Sequence, residues 1–214
     1  MRERLDREDG FSLVEMMVTM LIMLIVLFAL YGIFDMSLRV FSFSNNKVEA
    51  VEQARVGLER MEREIRAAYP YNKGGTGVLA DPRVLETMAG NEIAFGNDTS
   101  GNYVVEAGEK IRYKLLKDSS PTICNLGDSD CKVYRSAGGG SFSRLVEFVP
   151  APTTSPAYAG GLRFTYLDAN NTVTAVEANV RVVRIELDVI VDQGSRDEGK
   201  QTLVTEVALR NRGG

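Results

Sequence analysis

One long apolar segment near the start dominates the hydrophobic pattern of this chain. From Met16 to Phe34 there are 19 residues without a charged side chain. As an α-helix this stretch is about 28 Å long, at roughly 1.5 Å per residue, which is close to the roughly 30 Å thickness of a bilayer's hydrocarbon core. The pattern therefore predicts a membrane-spanning helix over residues 11–34. Glu15 lies at its edge, where a carboxylate needs a compensating partner.

An amphipathic pattern follows over residues 35–69, which predicts that the helix continues. Its apolar residues form one helical stripe, made of Val51, Ala54, Leu58, Met61, Ile65 and Ala68. Charges of alternating sign fill the other faces and favour a solvated surface; these residues are Glu52, Arg55, Glu59, Arg60, Glu62, Arg63, Glu64 and Arg66. We expect the helix to end at about Tyr69, because a residue that precedes proline disfavours the α conformation.

Beyond residue 70 the period changes to two, which is typical of strands with one buried face. The expected strands cover residues 93–95, 110–115, 133–134, 162–166, 183–191 and 203–209. The expected loops, rich in Gly, Asn, Asp or Pro, cover residues 71–77, 137–141, 150–161, 168–171 and 192–200. One long helix followed by strands predicts an α+β fold, in which the helix packs on an antiparallel sheet and residues 70–214 form one β-rich domain.

Composition and charge narrow the possible functions. The chain has 214 residues and a formal net charge of −4, which does not indicate a nucleic-acid-binding protein. It contains no histidine, and this excludes histidine-based catalytic triads, histidine general bases and most zinc sites. Without a recognisable catalytic, metal or cofactor motif, we predict a protein that is not an enzyme and uses neither a metal nor a cofactor.

The two cysteines, Cys124 and Cys131, are seven residues apart in a loop rich in Gly, Asp and Ser. In an exported domain such a pair indicates a local disulfide. A metal or redox pair is the alternative, but the spacing fits neither Cys-x-x-Cys nor a set of four ligands. Calcium bound by Asn125, Asp128 and Asp130 is a weaker possibility, because such residues are also common in turns.

The run Gly10-Phe-Ser-Leu-Val-Glu15, followed at once by an uncharged helix, resembles the N-terminus of type IV pilins and pseudopilins. In that family a prepilin peptidase cuts after the glycine, and the new N-terminal phenylalanine is N-methylated. The resemblance implies a leader peptide at residues 1–10, cleavage after Gly10 and methylation of Phe11. It also implies an assembly role for Glu15, whose partner is the amino group of Phe11 on a neighbouring subunit.

This leader departs from the family pattern, because it carries three Arg and four acidic residues where pilin leaders are usually basic. A secretory signal peptide, a simple membrane anchor and a buried core helix are the alternatives, and the last of these would need a polar face that the apolar run does not have. The first would have a basic start and an A-x-A-like site, and the second does not explain Gly10, Phe11 and Glu15 together.

Packing patterns farther along, such as Lys-Val-Tyr-Arg at 132–135 and Gly-Leu-Arg-Phe-Thr-Tyr-Leu-Asp at 161–168, are similar to J-type pseudopilins of type II secretion and W-type minor pilins. This similarity implies a minor subunit that primes or tips a type IV pilus or a type II secretion pseudopilus. The implied partners are prepilin peptidase, the major and other minor subunits, and the assembly ATPase with its platform protein. The chain would cross the inner membrane once, with its C-terminal domain outside the cytoplasm, before it enters a surface or periplasmic filament.

A subunit for DNA uptake or adhesion on the same scaffold is the alternative function. It needs an exposed basic patch, for which Arg181, Arg184 and the basic residues of 110–114 are the candidates.

Overall fold

A computed structural model describes residues 11–70, 83–120, 122–125, 128, 130–151, 160–190 and 199–211 of the chain. The leader with Gly10, the predicted loop at 71–77, most of the loops at 150–161 and 192–200, and Val191 lie outside the described residues. The chain divides into two compact units, Met1–Asn45 and Asn46–Gly214. The first contains the apolar part of the helix, and the second contains the rest of the helix and all of the described strands.

A single helix, α1, covers Leu13–Arg66. Among the described residues it is the one helix that is long and apolar enough to cross a membrane. It ends three residues before the predicted Tyr69, so the predicted end was wrong. The N–H groups of Ala67 and Ala68 still donate to the carbonyls of Arg63 and Ile65, whereas the N–H of Tyr69 donates to the carbonyl of Gly96 at 2.8 Å and so lies outside the helical pattern.

The second half of α1 buries the predicted apolar stripe. Ala54, Leu58, Met61 and Ile65 are all buried, and Gly57 joins them on the same face. At Gly57 the helix approaches a strand so closely that a Cβ atom would lie 2.6 Å from Cγ2 of Val146.

Five strands form the first sheet in the order β1-β2-β3-β4-β5, and every neighbouring pair is antiparallel. The strands are β1 (Leu85–Met88), β2 (Glu92–Gly96), β3 (Lys110–Lys117), β4 (Cys131–Ala137) and β5 (Ser143–Val146). The sequence predicted β2, β3 and a short form of β4. It missed β1 and β5, because four-residue strands are too short to establish a period. A 3₁₀ turn, Ala107–Glu109, precedes β3.

Three strands form a second antiparallel sheet in the order β6-β7-β8. They are β6 (Leu162–Leu167), β7 (Val182–Ile190) and β8 (Lys200–Ala208), with a 3₁₀ turn at Glu177–Asn179 before β7. The predicted antiparallel pairing of the two longest strands is confirmed. So is the turn at 168–171, where the carboxylate of Asp168 accepts the N–H groups of Asn170 and Thr172.

The predicted α+β architecture, a long helix followed by antiparallel β-structure, is therefore confirmed, with the strands divided between two sheets. The sheets meet at the turn between β1 and β2. There the N–H of Phe164 donates to the carbonyl of Gly90 at 2.7 Å, and the hydroxyl of Tyr166 donates to the carbonyl of Ala89 at 3.1 Å. Residues from α1 and from both sheets form one hydrophobic core.

Candidate functional site

The first turn of α1 is capped by Ser12. Its hydroxyl oxygen accepts the backbone N–H of Glu15 at 3.2 Å, and its carbonyl accepts the N–H of Met16 at 3.2 Å. A serine at the N-cap satisfies one of the otherwise unpaired N–H groups at a helix start. This role of Ser12 was not predicted, although Ser-x-x-Glu at 12–15 is the sequence pattern of a capping box. The predicted N-terminal residue Phe11 thus lies next to the capping residue, two positions before α1 begins at Leu13.

The apolar surface of this segment is uncovered. Every residue from 11 to 34 is exposed, and Phe11 and Phe28 are exposed by 76% and 75%. Apolar exposure continues past Asp35, because Phe41 and Val48 are 67% and 58% exposed. An apolar surface of this extent needs a membrane or other protein chains to cover it.

Two hydroxyl groups in the first half of α1 donate to backbone carbonyls of the helix itself. The hydroxyl of Thr19 donates to the carbonyl of Met16 at 2.9 Å, and the hydroxyl of Ser37 donates to the carbonyl of Ile33 at 2.8 Å. Glu15 differs: it is exposed, and its carboxylate has no ion-pair partner among the described residues. A carboxylate that enters a membrane without a counter-charge costs free energy. Glu15 is therefore the group in this segment that needs a partner from outside the chain.

The predicted disulfide lies in the second unit. Cys124 and Cys131 are bonded to each other with their Cα atoms 5.7 Å apart, and both are buried. The acidic side chains of this loop bind protein groups. Asp128 pairs with Lys117 at 2.5 Å and accepts the N–H of Asn125 at 2.7 Å. The hydrogen bonds from Lys117 and Asn125 lower the pKa of Asp128.

Asp130, the third residue weighed for calcium, accepts the N–H of Ser119 at 3.0 Å. Within the described part of the chain there is no group of three or more Cys, Asp or Glu side chains that could hold a metal ion. The carboxylates of this loop thus have a structural use, which is to hold the connection between β3 and β4.

Glu64 was predicted to lie on the solvated face of the helix, but its side chain is largely buried. Glu64 accepts the hydroxyl of Tyr113 at 2.5 Å, Nε of Arg135 at 2.9 Å and Nε of Arg60 at 3.1 Å. Its side chain is only 15% exposed. Burial by itself raises the pKa of Glu64, but the hydrogen bonds from Arg135, Tyr113 and Arg60 outweigh it, so that the pKa is lowered and the carboxylate stays charged.

The basic residues considered for DNA binding bind acidic side chains of the same sheet or, in the case of Arg181, a backbone carbonyl. Lys110 pairs with Glu86 at 2.9 Å, and both Arg112 and Lys114 pair with Glu92, at 3.4 and 2.8 Å. On the second sheet Arg184 pairs with Glu206 at 2.7 Å, and Arg181 donates to the carbonyl of Ala178 at 3.0 Å. The two sheets thus carry interleaved charges of both signs, and these side chains do not form a basic patch.

A comparison with protein-family models matches residues 5–31 to the prokaryotic N-terminal methylation motif. This segment includes Gly10, Phe11 and Glu15 and most of the apolar run from Met16 to Phe34. A comparison with curated protein sequences found no match.

Proposed function

We propose that this chain, whose N-terminal methylation motif supports a place in the type IV pilin and pseudopilin superfamily, is a minor subunit of a type IV pilus or a type II secretion pseudopilus. The motif marks a precursor that prepilin peptidase processes, and its apolar helix suggests membrane anchoring. In the proposed pathway the peptidase cuts after Gly10, Phe11 is N-methylated, and the helix then transfers from the membrane into a filament.

The observation that carries this proposal is the coincidence of the motif with an uncovered apolar helix. The match covers residues 5–31, and within it residues 13–31 belong to the first part of α1. The described residues from 11 to 34 are all exposed. A membrane covers such a surface in the precursor, and neighbouring subunits would cover it in a filament.

In the proposed filament Glu15 pairs with the methylated amino group of Phe11 on an adjacent subunit. A charge that leaves water needs a partner of opposite sign. The capped first turn supports this role, because it fixes Glu15 close to the mature N-terminus. The priming or tip position, the other minor subunits, the assembly ATPase and the platform protein belong to the proposal on the strength of the resemblance alone.

Mass spectrometry of sheared filaments and of membranes from the native cell tests the proposal. We expect a peptide that begins with N-methylated Phe11 in the filament fraction, at a level far below that of the major subunit. A chain that still carries Met1 to Gly10 and occurs only in membranes would contradict it. The DNA-uptake alternative gains no support from the basic residues named for it, because acidic side chains or backbone carbonyls engage them.

A further inference from the structure

Two tripeptides in the sequence have the pattern Asn-x-Ser/Thr, in which x is not proline. They are Asn97-Asp98-Thr99 and Asn170-Asn171-Thr172. In exported proteins this pattern is the acceptor of N-linked oligosaccharides. The pattern alone does not distinguish the two copies, but their surroundings in the folded chain differ.

The reaction at such an acceptor needs two free side chains. The amide nitrogen of the asparagine attacks the anomeric carbon of a lipid-linked sugar pyrophosphate. A new N–C bond forms while the C–O bond to the pyrophosphate breaks, the lipid pyrophosphate leaves with the bonding electrons, and the nitrogen releases one proton. The pattern also requires a hydroxyl two residues later, so both side chains must reach the enzyme that transfers the sugar.

The first copy is engaged within the fold. The Oδ1 atom of Asn97 is buried, and the backbone N–H of Asn97 donates to the carbonyl of Glu109 at 3.1 Å. The hydroxyl of Thr99 donates to the carboxylate of Glu109 at 2.8 Å, and the N–H of Thr99 donates to it at 2.9 Å. A transfer to Asn97 would therefore require this loop to unfold.

The second copy lies in an exposed turn between β6 and β7. The four residues from 169 to 172 are all exposed. The side chains of Asn170 and Thr172 make no hydrogen bond to any residue that the structure describes. Both groups that the reaction needs are therefore accessible in the folded chain.

The turn is held by other groups. The carboxylate of Asp168 accepts the N–H groups of Asn170 and Thr172 at 2.8 and 2.9 Å, and the N–H of Asp168 donates to the carbonyl of Thr172 at 2.9 Å. Asn171 has a φ of 63°, a left-handed conformation that asparagine adopts more readily than most residues. Turn geometry thus explains Asp168 and Asn171, but it does not explain the side chains of Asn170 and Thr172.

The disulfide supports the compartment that this chemistry needs. Cys124 and Cys131 are bonded to each other, and disulfides persist in oxidising compartments outside the cytoplasm. N-linked acceptors lie on exported surface loops, and the turn at 168–172 is a surface loop of the same unit as the disulfide.

From this contrast we propose that Asn170 is a site of N-glycosylation, with a lipid-linked sugar pyrophosphate as the donor. The oligosaccharide is joined to the side-chain amide of Asn170, whereas Asn97 stays unmodified. The inference rests on the proposed place of the C-terminal domain outside the cytoplasm, and it does not depend on cleavage after Gly10.

Mass spectrometry of the full chain from membranes and filaments of the native cell tests the site. Trypsin places Asn170 in the peptide 164–181 and Asn97 in the peptide 84–110. We expect the first peptide to carry the mass of one or more sugar residues, localised to Asn170 by fragmentation, and the second to carry none. A bare Asn170, or sugar on a threonine hydroxyl of the same peptide, would overturn the proposal.

Variants in the native cell separate the acceptor pattern from unspecific modification. Asn170→Gln should lose the sugar completely, and Asn179→Gln, an exposed asparagine of the same peptide outside the pattern, should keep it. Thr172→Val removes the hydroxyl and should lower the occupancy at least about tenfold, whereas Thr172→Ser should keep most of it. Because these side chains are exposed, the variants should unfold at the temperature of the wild type. Equal occupancy in Thr172→Val and the wild type would overturn the proposal.

The outcome at Asn170 is independent of the outcome at the N-terminus. A chain that begins at Phe11 and carries no sugar would overturn the glycosylation of Asn170 alone. A chain that keeps Met1 to Gly10 and carries sugar on Asn170 would contradict the proposed processing alone.

Discussion

The carboxylate of Glu64 joins α1 to two strands of the first sheet. It accepts hydrogen bonds from Tyr113 of β3 and Arg135 of β4, and both partners are largely or fully buried. Removal of one member of such a group leaves the others without a partner in the protein interior, which costs more than the hydrogen bonds themselves contribute. Glu64 therefore fixes the rotation of the helix against the sheet.

We predict that Glu64→Ala lowers the free energy of unfolding by about 2–3 kcal/mol, because Arg135 and Tyr113 lose a shared acceptor. Glu59→Ala is the matched control on the same helix; Glu59 is exposed, and its loss should change stability by no more than about 0.5 kcal/mol. Urea unfolding of the full chain in micelles measures both. Equal effects would show that the network contributes nothing beyond a surface charge.

Glu109 gives a second residue-scale prediction, for pH. Its carboxylate accepts the N–H of Glu106, the hydroxyl and N–H of Thr99 and the N–H of Ser100. The hydrogen bonds from Glu106, Thr99 and Ser100 lower the pKa of Glu109 to about 2. A lowered pKa stabilises the fold above the usual glutamate range, and that stabilisation disappears as the pH falls through the range toward 2.

We therefore expect Glu109→Gln to melt at a lower temperature than the wild type at pH 7, and the difference to shrink steadily between about pH 4.5 and pH 2. Thermal melts at several pH values check this. A difference that does not change with pH would mean that the amide disturbs the loop sterically and that the charge is irrelevant.

At the scale of elements, the close approach of α1 to β5 depends on Gly57. A Cβ atom at this position would lie 2.6 Å from Cγ2 of Val146, and β5 forms the edge of its sheet. Glycine is a poor helix former, so its place in the middle of α1 is explained by the space that packing leaves.

Gly57→Ala should destabilise the chain by about 1–2 kcal/mol, because the overpacking cost exceeds the gain in helix propensity. Gly32→Ala is the matched control, since a Cβ atom at Gly32 meets no other atom within 4 Å. We expect Gly32→Ala to leave stability unchanged or to raise it. Thermal unfolding in micelles compares the two, and a stabilised Gly57→Ala variant would contradict the packing argument.

At the scale of the whole molecule, α1 has an uncovered apolar surface with the acidic residue Glu15 at its edge. The surface and the carboxylate both need contacts from outside the chain. Membrane insertion requires only the apolar length. Assembly of the proposed filament requires in addition that the charge of Glu15 is neutralised by another subunit. Replacement of Glu15 should separate the two events.

We predict that Glu15→Ala inserts in the membrane at the wild-type level but is at least about tenfold depleted from sheared filaments, because its neighbour's N-terminus lacks a partner. Glu49→Ala, which removes an exposed acid from the same helix, should enter filaments normally. Quantitative immunoblots of the membrane and filament fractions measure both variants. Normal incorporation of Glu15→Ala would remove the assembly role of this residue.

The sequence by itself determined the features that depend on neighbouring residues along the chain. The length of the apolar run and the change of period after residue 70 are local properties, and they predicted the long helix and most of the described strands. The spacing of Gly10, Phe11 and Glu15 is local as well, and these residues lie within the segment that matches the methylation motif. The buried stripe of the second half of α1 was likewise readable, because burial on one side imposes a helical period on the sequence.

Only the tertiary structure decided which elements meet. Glu62 and Glu64 look alike in the helical pattern, yet Glu64 faces Arg135, 71 residues away. The division of the strands into two sheets also depends on distant partners. The physical reason is that a period of two or 3.6 records which side of an element is buried, whereas the identity of the neighbour that buries it depends on contacts between segments far apart in the chain.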